Sequence, residues 1–286
     1  MKRLLFGAAV AGAVLLPFAP LAVWSFSRRW FYPHLLPEQW GLRAWEYVLG
    51  TAGPQISEAL LQSVLVAAVT AVLAVAGGLP AGRALGLYHF RGKDLLSVVL
   101  MLPIIVPPLC VAMGLHLWLL RLGIAETFAG VVLVHLSTCL PYAVFVLWGV
   151  FSNYDPEFED QARTLGASRP GVIVRVMLPL TFPGIVVAVL FAFLLSWSQY
   201  LSTLIIGGGK IITLPILLFA LMASGDRPVA AAVSLVFVLP ALAALAVPDP
   251  RPPYGAPPIG GEEDLARFVD ALQGQGFKVQ KSQEQL

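Results

Sequence analysis

Six apolar runs separated by polar islands organise the chain: 4–26, 59–79, 95–120, 128–151, 184–206 and 229–247. Each is close to the ~20 residues an α-helix needs to cross a hydrocarbon core, so each is predicted to be a transmembrane helix. The first follows Lys2 and Arg3 and reads as an uncleaved span; a cleavable signal ending near Ala22 is the competing reading. A further apolar stretch, 211–223, is too short to span and is predicted to be re-entrant or interfacial. The expected fold class is therefore all-α, a polytopic bundle of six transmembrane helices occupying residues 1–247. After 247 the character changes. Pro248, Pro250, Pro252, Pro253, Pro257 and Pro258 predict a stiff linker, and Leu265, Phe268, Val269 and Leu272 an amphipathic helix over 262–272, so 248–286 is expected to be a poorly ordered cytoplasmic tail.

Departures from uniform hydrophobicity mark the candidate working parts. Pro103, Pro107 and Pro108 fall inside the third run, where missing amide donors must kink or unwind the helix. Freed backbone at membrane depth is tolerated only against protein or a water-filled cavity, so Pro103 and Pro107 are candidate pathway residues. The fifth run is expected to end in Ser196-Trp197-Ser198-Gln199-Tyr200, polar groups that are costly in lipid; Trp197, Gln199 and Tyr200 are pathway candidates, with interhelical hydrogen bonding as the alternative. The island 27–57 is rich in Trp and Tyr and predicts a headgroup-level loop, with docking of a soluble protein as a second role.

The longest island of mixed charge, 152–182, is the most informative. Asp155 and Pro156 can open a helix whose first turn is acidic, and Phe158, Ala162 and Leu165 give it one apolar stripe. Gly166 is placed to end it in a left-handed turn, and Ser168 and Pro170 to open a second short helix toward Leu178-Pro179. The predicted object is a bent pair of helices whose apolar edge has no partner in its own segment.

That island resembles the cytoplasmic coupling motif of the membrane subunits of binding-protein-dependent ABC importers, in which Glu-Ala-Ala is followed by three residues, Gly, nine residues and Ile-x-Leu-Pro. Ala162, Gly166, Leu178 and Pro179 keep the family residue, while Asp160, Gln161 and Val176 replace Glu, Ala and Ile. The resemblance implies a type I permease subunit whose Asp160, Ala162, Gly166, Val176, Leu178 and Pro179 couple to a separate ATPase. It further implies a second permease subunit, two cytoplasmic ATPase subunits that bind ATP and Mg, an extracytoplasmic substrate-binding protein, and residence in the bacterial inner membrane with both termini cytoplasmic. The Gly207-Gly208-Gly209-Lys210 and Thr213-Leu214-Pro215 segments look most like polyamine-type permeases, whose relatives handle thiamine and ferric iron; small-oxyanion permeases stay in contention.

Composition and charge narrow the alternatives. With 58% apolar and 12% charged residues the chain lies far from soluble usage, and a net charge of +2 gives no case for nucleic acid. The short loops carrying Arg83, Arg91, Lys93, Arg163, Arg169 and Arg175 are predicted to face the cytoplasm, leaving Arg28, Arg29, Arg43, Arg121, Lys210 and Arg227 outside. No Asp, Glu, Lys or Arg lies within the six runs, whereas ion-driven carriers place an ionisable group at membrane depth. The energy source is therefore expected to be external. A stand-alone carrier would have to use His116 and His135, for which a hydrogen-bonded packing pair is the other reading. Gly207-Gly208-Gly209-Lys210 lacks the remaining residues of a phosphate-binding loop, Cys110 and Cys139 sit in apolar runs without a disulfide framework, and no catalytic or metal-binding set is expected in this chain.

Overall fold

The computed structural model describes residues 12, 13, 16–31 and 34–245. The start of the first predicted span and the whole 248–286 tail lie outside the described residues. Among the described residues everything regular is helical apart from one small hairpin. In chain order the elements are α1 (Ala19–Ser25), β1 (Ser27–Arg29), β2 (Gln39–Trp40), α2 (Arg43–Glu46), α3 (Gly53–Leu87), α4 (Lys93–Ile105), α5 (Pro108–Arg121) and α6 (Phe128–Ser152). They continue with α7 (Glu157–Thr164), α8 (Arg169–Val172), α9 (Leu178–Trp197), α10 (Leu201–Gly207), α11 (Leu214–Ala223) and α12 (Arg227–Leu245).

Among the described residues three helical stretches are long and apolar enough to cross a membrane, Gly53–Leu87, Phe128–Ser152 and Arg169–Trp197, and α4 with α5 makes a fourth as a broken pair. The outer two of the six predicted spans correspond to the shorter stretches Leu16–Ser25 and Arg227–Ala243. The all-α membrane bundle stands. Its helices overrun the apolar runs, because backbone hydrogen bonding continues past the point where hydropathy falls; α3 begins at Gly53 rather than 59 and ends at Leu87 rather than 79.

The third predicted span and the 27–57 island both differ from expectation. Pro103 is accommodated inside α4, and the helix is interrupted only at Val106-Pro107, where Pro107 takes an extended conformation (φ −53°, ψ 131°). One proline removes one amide, but two in succession, with Pro108 restricting the residue before it, stop the helix. The island 27–57 is not a loose loop either. Ser27 pairs with Trp40 and Arg29 with Gln39 in an antiparallel hairpin, and a wide helical turn, Tyr47–Thr51, joins α2 to α3.

Contacts divide the chain into two compact units. The described residues of the first are 12–13, 16–31, 34–70, 106–136 and 194–245, and its core is Val66, Leu119, Val131, Val132, Val134 and Ile206. Within it α12 packs along α1 and α11, and α10 along α5. The second comprises 71–105 and 137–193. There α3 meets α6 through Gly78, Gly82 and Gly86, one turn apart, the small-residue stripe by which apolar helices approach closely without a hydrophobic drive between them. A Cβ at Gly82 would lie 2.7 Å from that of Leu147, and one at Gly86 2.5 Å from that of Phe151.

Candidate functional site

The polar island folds into a bent pair of helices in the second unit. The Asp155 carboxylate accepts the Glu157 amide (2.9 Å) and starts α7 one residue later than predicted. At the other end Gly166 has φ +87°, the Gly166 amide donates to the Arg163 carbonyl (2.9 Å) and the Ala167 amide to the Ala162 carbonyl (3.0 Å). These are the paired bonds of a Schellman cap, which satisfy orphan carbonyls at the helix end and require a residue that tolerates positive φ. Ser168, extended, then accepts the Gly171 amide through its hydroxyl (3.4 Å) and opens α8.

Two expectations are corrected here. The second helix does not stop at Leu178-Pro179; α8 passes through a wide turn, Ile173–Met177, directly into α9, so Pro179 lies inside one continuous helical run just after that turn and withholds one amide from it. Nor is the apolar stripe of α7 unpartnered. The Gly166 bend folds it onto the following helix, so that Phe158, Ala162 and Leu165 pack with Val172, Val176 and Leu180. The candidate coupling residues thereby separate by role. Ala162 and Val176 are each 1% exposed and set the shape of the loop from inside. Gly166 makes the bend, Leu178 and Pro179 are half-buried at the start of α9, and Asp160 stands in the open, 2.9 Å from Arg163 Nη1. The surface offered outward also includes Thr164, Ile173 and Val174.

The residue that holds the loop in place was not singled out from the sequence. Glu159, only 3% exposed, takes Arg83 Nη2 at 2.9 and 2.7 Å through its two oxygens, with Arg163 Nη2 at 3.3 Å and the Tyr154 hydroxyl donating at 3.3 Å. Burial raises the Tyr154 hydroxyl well above the usual phenol range, and the Glu159 carboxylate beside it adds to the shift. Arg83 lies on α3 between Gly82 and Gly86, so the loop is tied to a helix that is itself held close to α6. Glycines at four-residue spacing around an arginine at the end of an apolar run were the available signal.

The pathway candidates fall differently. The cluster 196–200 does not end a helix; it is a break between α9 and α10, with Ser198 to Tyr200 outside both. Trp197 is 3% exposed, donates Nε1 to the Phe237 carbonyl (3.2 Å) and stacks on that ring, so it packs inside its own unit rather than lining an opening. Tyr200 stacks on Phe219 at 4.0 Å and, with Gln199, is half-buried. Pro103 is half-buried and Pro107 exposed.

His135 explains why the break is polar. It is 1% exposed, with Nδ1 2.8 Å from Ser196 Oγ and Nε2 2.8 Å from Thr203 Oγ1. The Thr203 hydroxyl donates to the Gln199 carbonyl (2.8 Å), so it must accept from Nε2–H, and Nδ1 accepts from Ser196. His135 thus bridges the two sides of the break, and His116 is not among its partners. Downstream, Gly208 (φ +52°) and Gly209 (φ +80°) form a tight turn, beside which Lys210 pairs with Glu126 at 2.7 Å. Among the described residues no group of three or more His, Cys, Asp or Glu side chains could hold a metal.

Comparison with known proteins now bears on this geometry. The family described as binding-protein-dependent transport system inner membrane component matches residues 78–248, which include α7, the Gly166 bend and α8. The chain belongs to that family. It is a membrane-spanning permease subunit of a binding-protein-dependent ABC importer. The permease is 30% identical over 187 residues to the spermidine/putrescine transport system permease protein PotC of Haemophilus influenzae, covering 65% of this chain and 72% of that one. It is 35% identical over 220 residues to the molybdenum transport system permease protein ModB of Mycobacterium tuberculosis, covering 71% and 82%. In fold it resembles a bacterial ABC transporter involved in the import of the acidic polysaccharide alginate, with a TM-score of 0.65 at 17% identity over 86% of this chain and 93% of that one. Membership in this family displaces the stand-alone carrier as a reading.

Proposed function

We propose that this permease forms a translocation pathway with a second permease subunit and is driven through the 152–182 loop by two cytoplasmic ATPase subunits, which bind the ATP and Mg. The observation that carries the proposal is the Gly166 bend, which presents Asp160, Thr164, Ile173 and Val174 outward on a knuckle whose interior is Ala162 and Val176. A packed knuckle moves as one body when pushed. The Arg83–Glu159 pair gives that body a fixed attachment to α3, which converts a push on the loop into a displacement of a membrane helix. Gln199, Tyr200, Pro103 and Pro107 remain the candidate lining. The membrane domain is 1–247 with 248–286 as a tail, and both termini are cytoplasmic.

The cargo is a small solute delivered by a soluble binding protein, and the polyamine, thiamine or iron class is the first reading, supported by similarity to PotC. A small oxyanion is the second. It is favoured by the more extensive similarity to ModB and by the absence of any Asp or Glu from the apolar runs, since a polyvalent cation at membrane depth calls for carboxylates. Co-purification of the permease with its partners, followed by ligand screening of the binding protein, tests both parts. Failure to bring down an ATPase subunit contradicts the coupling role, and binding of molybdate in preference to spermidine selects the second cargo class.

A further inference from the structure

In the first unit, away from the coupling loop in sequence, Arg28, Arg29, Arg43 and Arg227 surround a cavity of about 540 Å³ whose wall includes Trp24, Trp30 and Asp226. The nearby carboxylates are already engaged. Asp226 takes Arg43 at 2.7 Å and also accepts the Val229 amide (3.4 Å), and Glu38 lies 3.6 Å from Arg29. Hydrogen bonding to Asp226 holds the Arg43 guanidinium above its ordinary value. Among the described residues Arg28 and Arg227 have no carboxylate within 4.0 Å, so the cup carries an uncompensated positive charge.

Its chemistry and its place both select a ligand. Arg227 lies 5.5 Å over the Trp24 ring, and Trp24 stacks on Trp30 at 4.5 Å. Cation–π contact uses the face of a guanidinium and leaves its in-plane N–H donors directed at an oxygen ligand. Three apolar helices have their ends here: α1 stops at Ser25, α11 at Ala223, and α12 starts at Arg227. Tryptophans at the ends of apolar helices mark headgroup depth. Leu16, 72% exposed, precedes α1 at the end away from the cup, roughly 12 Å from Trp24 along the helix and so at acyl-chain depth. On the topology above these arginines face outward, where the charge bias of membrane proteins disfavours them, so their concentration calls for an anion.

We propose that this cup binds the phosphate headgroup of an anionic phospholipid, with Arg28 and Arg227 donating to the phosphate oxygens and the exposed surface around Leu16 carrying an acyl chain. Zwitterionic headgroups bring a cation of their own, which the unpaired arginines repel. The choice of leaflet and the argument from charge bias rest on the orientation of the coupling loop; the geometry and charge of the cup do not.

The test exchanges the purified permease–ATPase complex into mixed micelles of phosphatidylglycerol and phosphatidylcholine in equal amounts and reads retained lipid by native mass spectrometry. The wild type is expected to retain phosphatidylglycerol with a preference of about thirtyfold, the scale set by two arginines near a charged lipid. Arg28→Gln with Arg227→Gln should bring that ratio near one, Arg28→Lys with Arg227→Lys should give an intermediate ratio, and Arg121→Gln, a surface charge elsewhere, should leave it unchanged. Equal retention of both lipids by the wild type overturns the proposal and needs no variant to fold. So does an equal loss in Arg121→Gln, which would make the preference nonspecific, or displacement of the lipid by millimolar inorganic phosphate, which would make the cup a site for a soluble oxyanion. An unchanged lipid ratio in the double glutamine variant, accompanied by weaker capture of the soluble binding protein, would reassign the cup to protein docking.

Discussion

The coupling loop and the break at Ser198–Tyr200 are both polar interruptions between apolar helices, and they are stabilised in opposite ways. The loop is built mostly from its own sequence: the Asp155 and Ser168 caps, the Schellman bonds at Gly166 and the packing of Phe158 and Ala162 on Val176 all join residues fewer than about 20 apart. The break is held from far away, by His135 on α6 and by the rings of Phe219 on α11 and Phe237 on α12. A locally built element can be displaced as a unit without unfolding its neighbours. One held by distant partners joins the helices that supply them, and it is rigid only while each partner is in place.

The largest expected effect comes from Gly166→Asp. Nothing lies within 4 Å of the added Cβ, and Asp tolerates a left-handed conformation better than most side chains, so the turn should survive with a new charge on the exposed face. Membrane insertion should be normal, and binding-protein-stimulated ATP hydrolysis should fall to background in proteoliposomes. If transport and ATPase association both persist, the loop is not the coupling element.

Arg83→Met probes the tie between the loop and α3. Removing Arg83 takes two charge-assisted hydrogen bonds from a buried carboxylate that keeps Arg163 and the Tyr154 hydroxyl, a loss of about 1.5–3 kcal/mol. Trypsin cleavage at Arg163 and Arg175 in inside-out vesicles should accelerate, and Arg83→Met with Glu159→Leu should recover most of the protection. Cleavage at the wild-type rate in the single variant would show that the loop holds its position without α3.

A smaller effect is expected at the break. Ser196→Ala removes the donor to His135 Nδ1 and leaves a buried acceptor, a loss of about 1–3 kcal/mol. It should lower the thermal inactivation temperature while leaving the ratio of transport to ATP hydrolysis unchanged. A changed ratio at unchanged stability would make the His135 network part of coupling and erase the contrast drawn above.

The smallest effect is at the Lys210–Glu126 pair. The Lys210 ammonium, hydrogen-bonded to it, holds the Glu126 carboxyl below the usual carboxylate range. Its contribution is present above the unfolded carboxylate pKa and is lost as pH falls through the lowered value. Lys210→Met should remove that acid sensitivity from proteolysis of the 207–210 turn and leave neutral-pH behaviour unchanged. An acid response equal to that of the wild type would place its origin elsewhere.

The same contrast accounts for what could be read from the chain alone. Span positions follow hydropathy, and the bend follows from a glycine at fixed distance from a capping serine, so both were legible. The pairing of α7 with α8 was missed because each stripe was judged alone, although a bend at Gly166 necessarily brings them together. Arg83–Glu159 and His135–Ser196 are 76 and 61 residues apart, and no local pattern connects them. Trp197 looked like a lining residue because a polar cluster at membrane depth signals function; its partner Phe237, 40 residues on, turns it into packing. The four-residue spacing of Gly78, Gly82 and Gly86 was present in the sequence but went unread, and the close approach of α3 and α6 shows what it serves.

The most direct test of the central claim is the sidedness of the knuckle. Thr164→Cys, on the exposed face of α7 in a chain with Cys110 and Cys139 replaced by Ser, would be treated with a membrane-impermeant maleimide in spheroplasts and in inside-out vesicles. The account predicts labelling only in the inside-out vesicles, and protection there when the ATPase subunit is bound. Labelling in spheroplasts, or equal labelling with and without the ATPase, would contradict it.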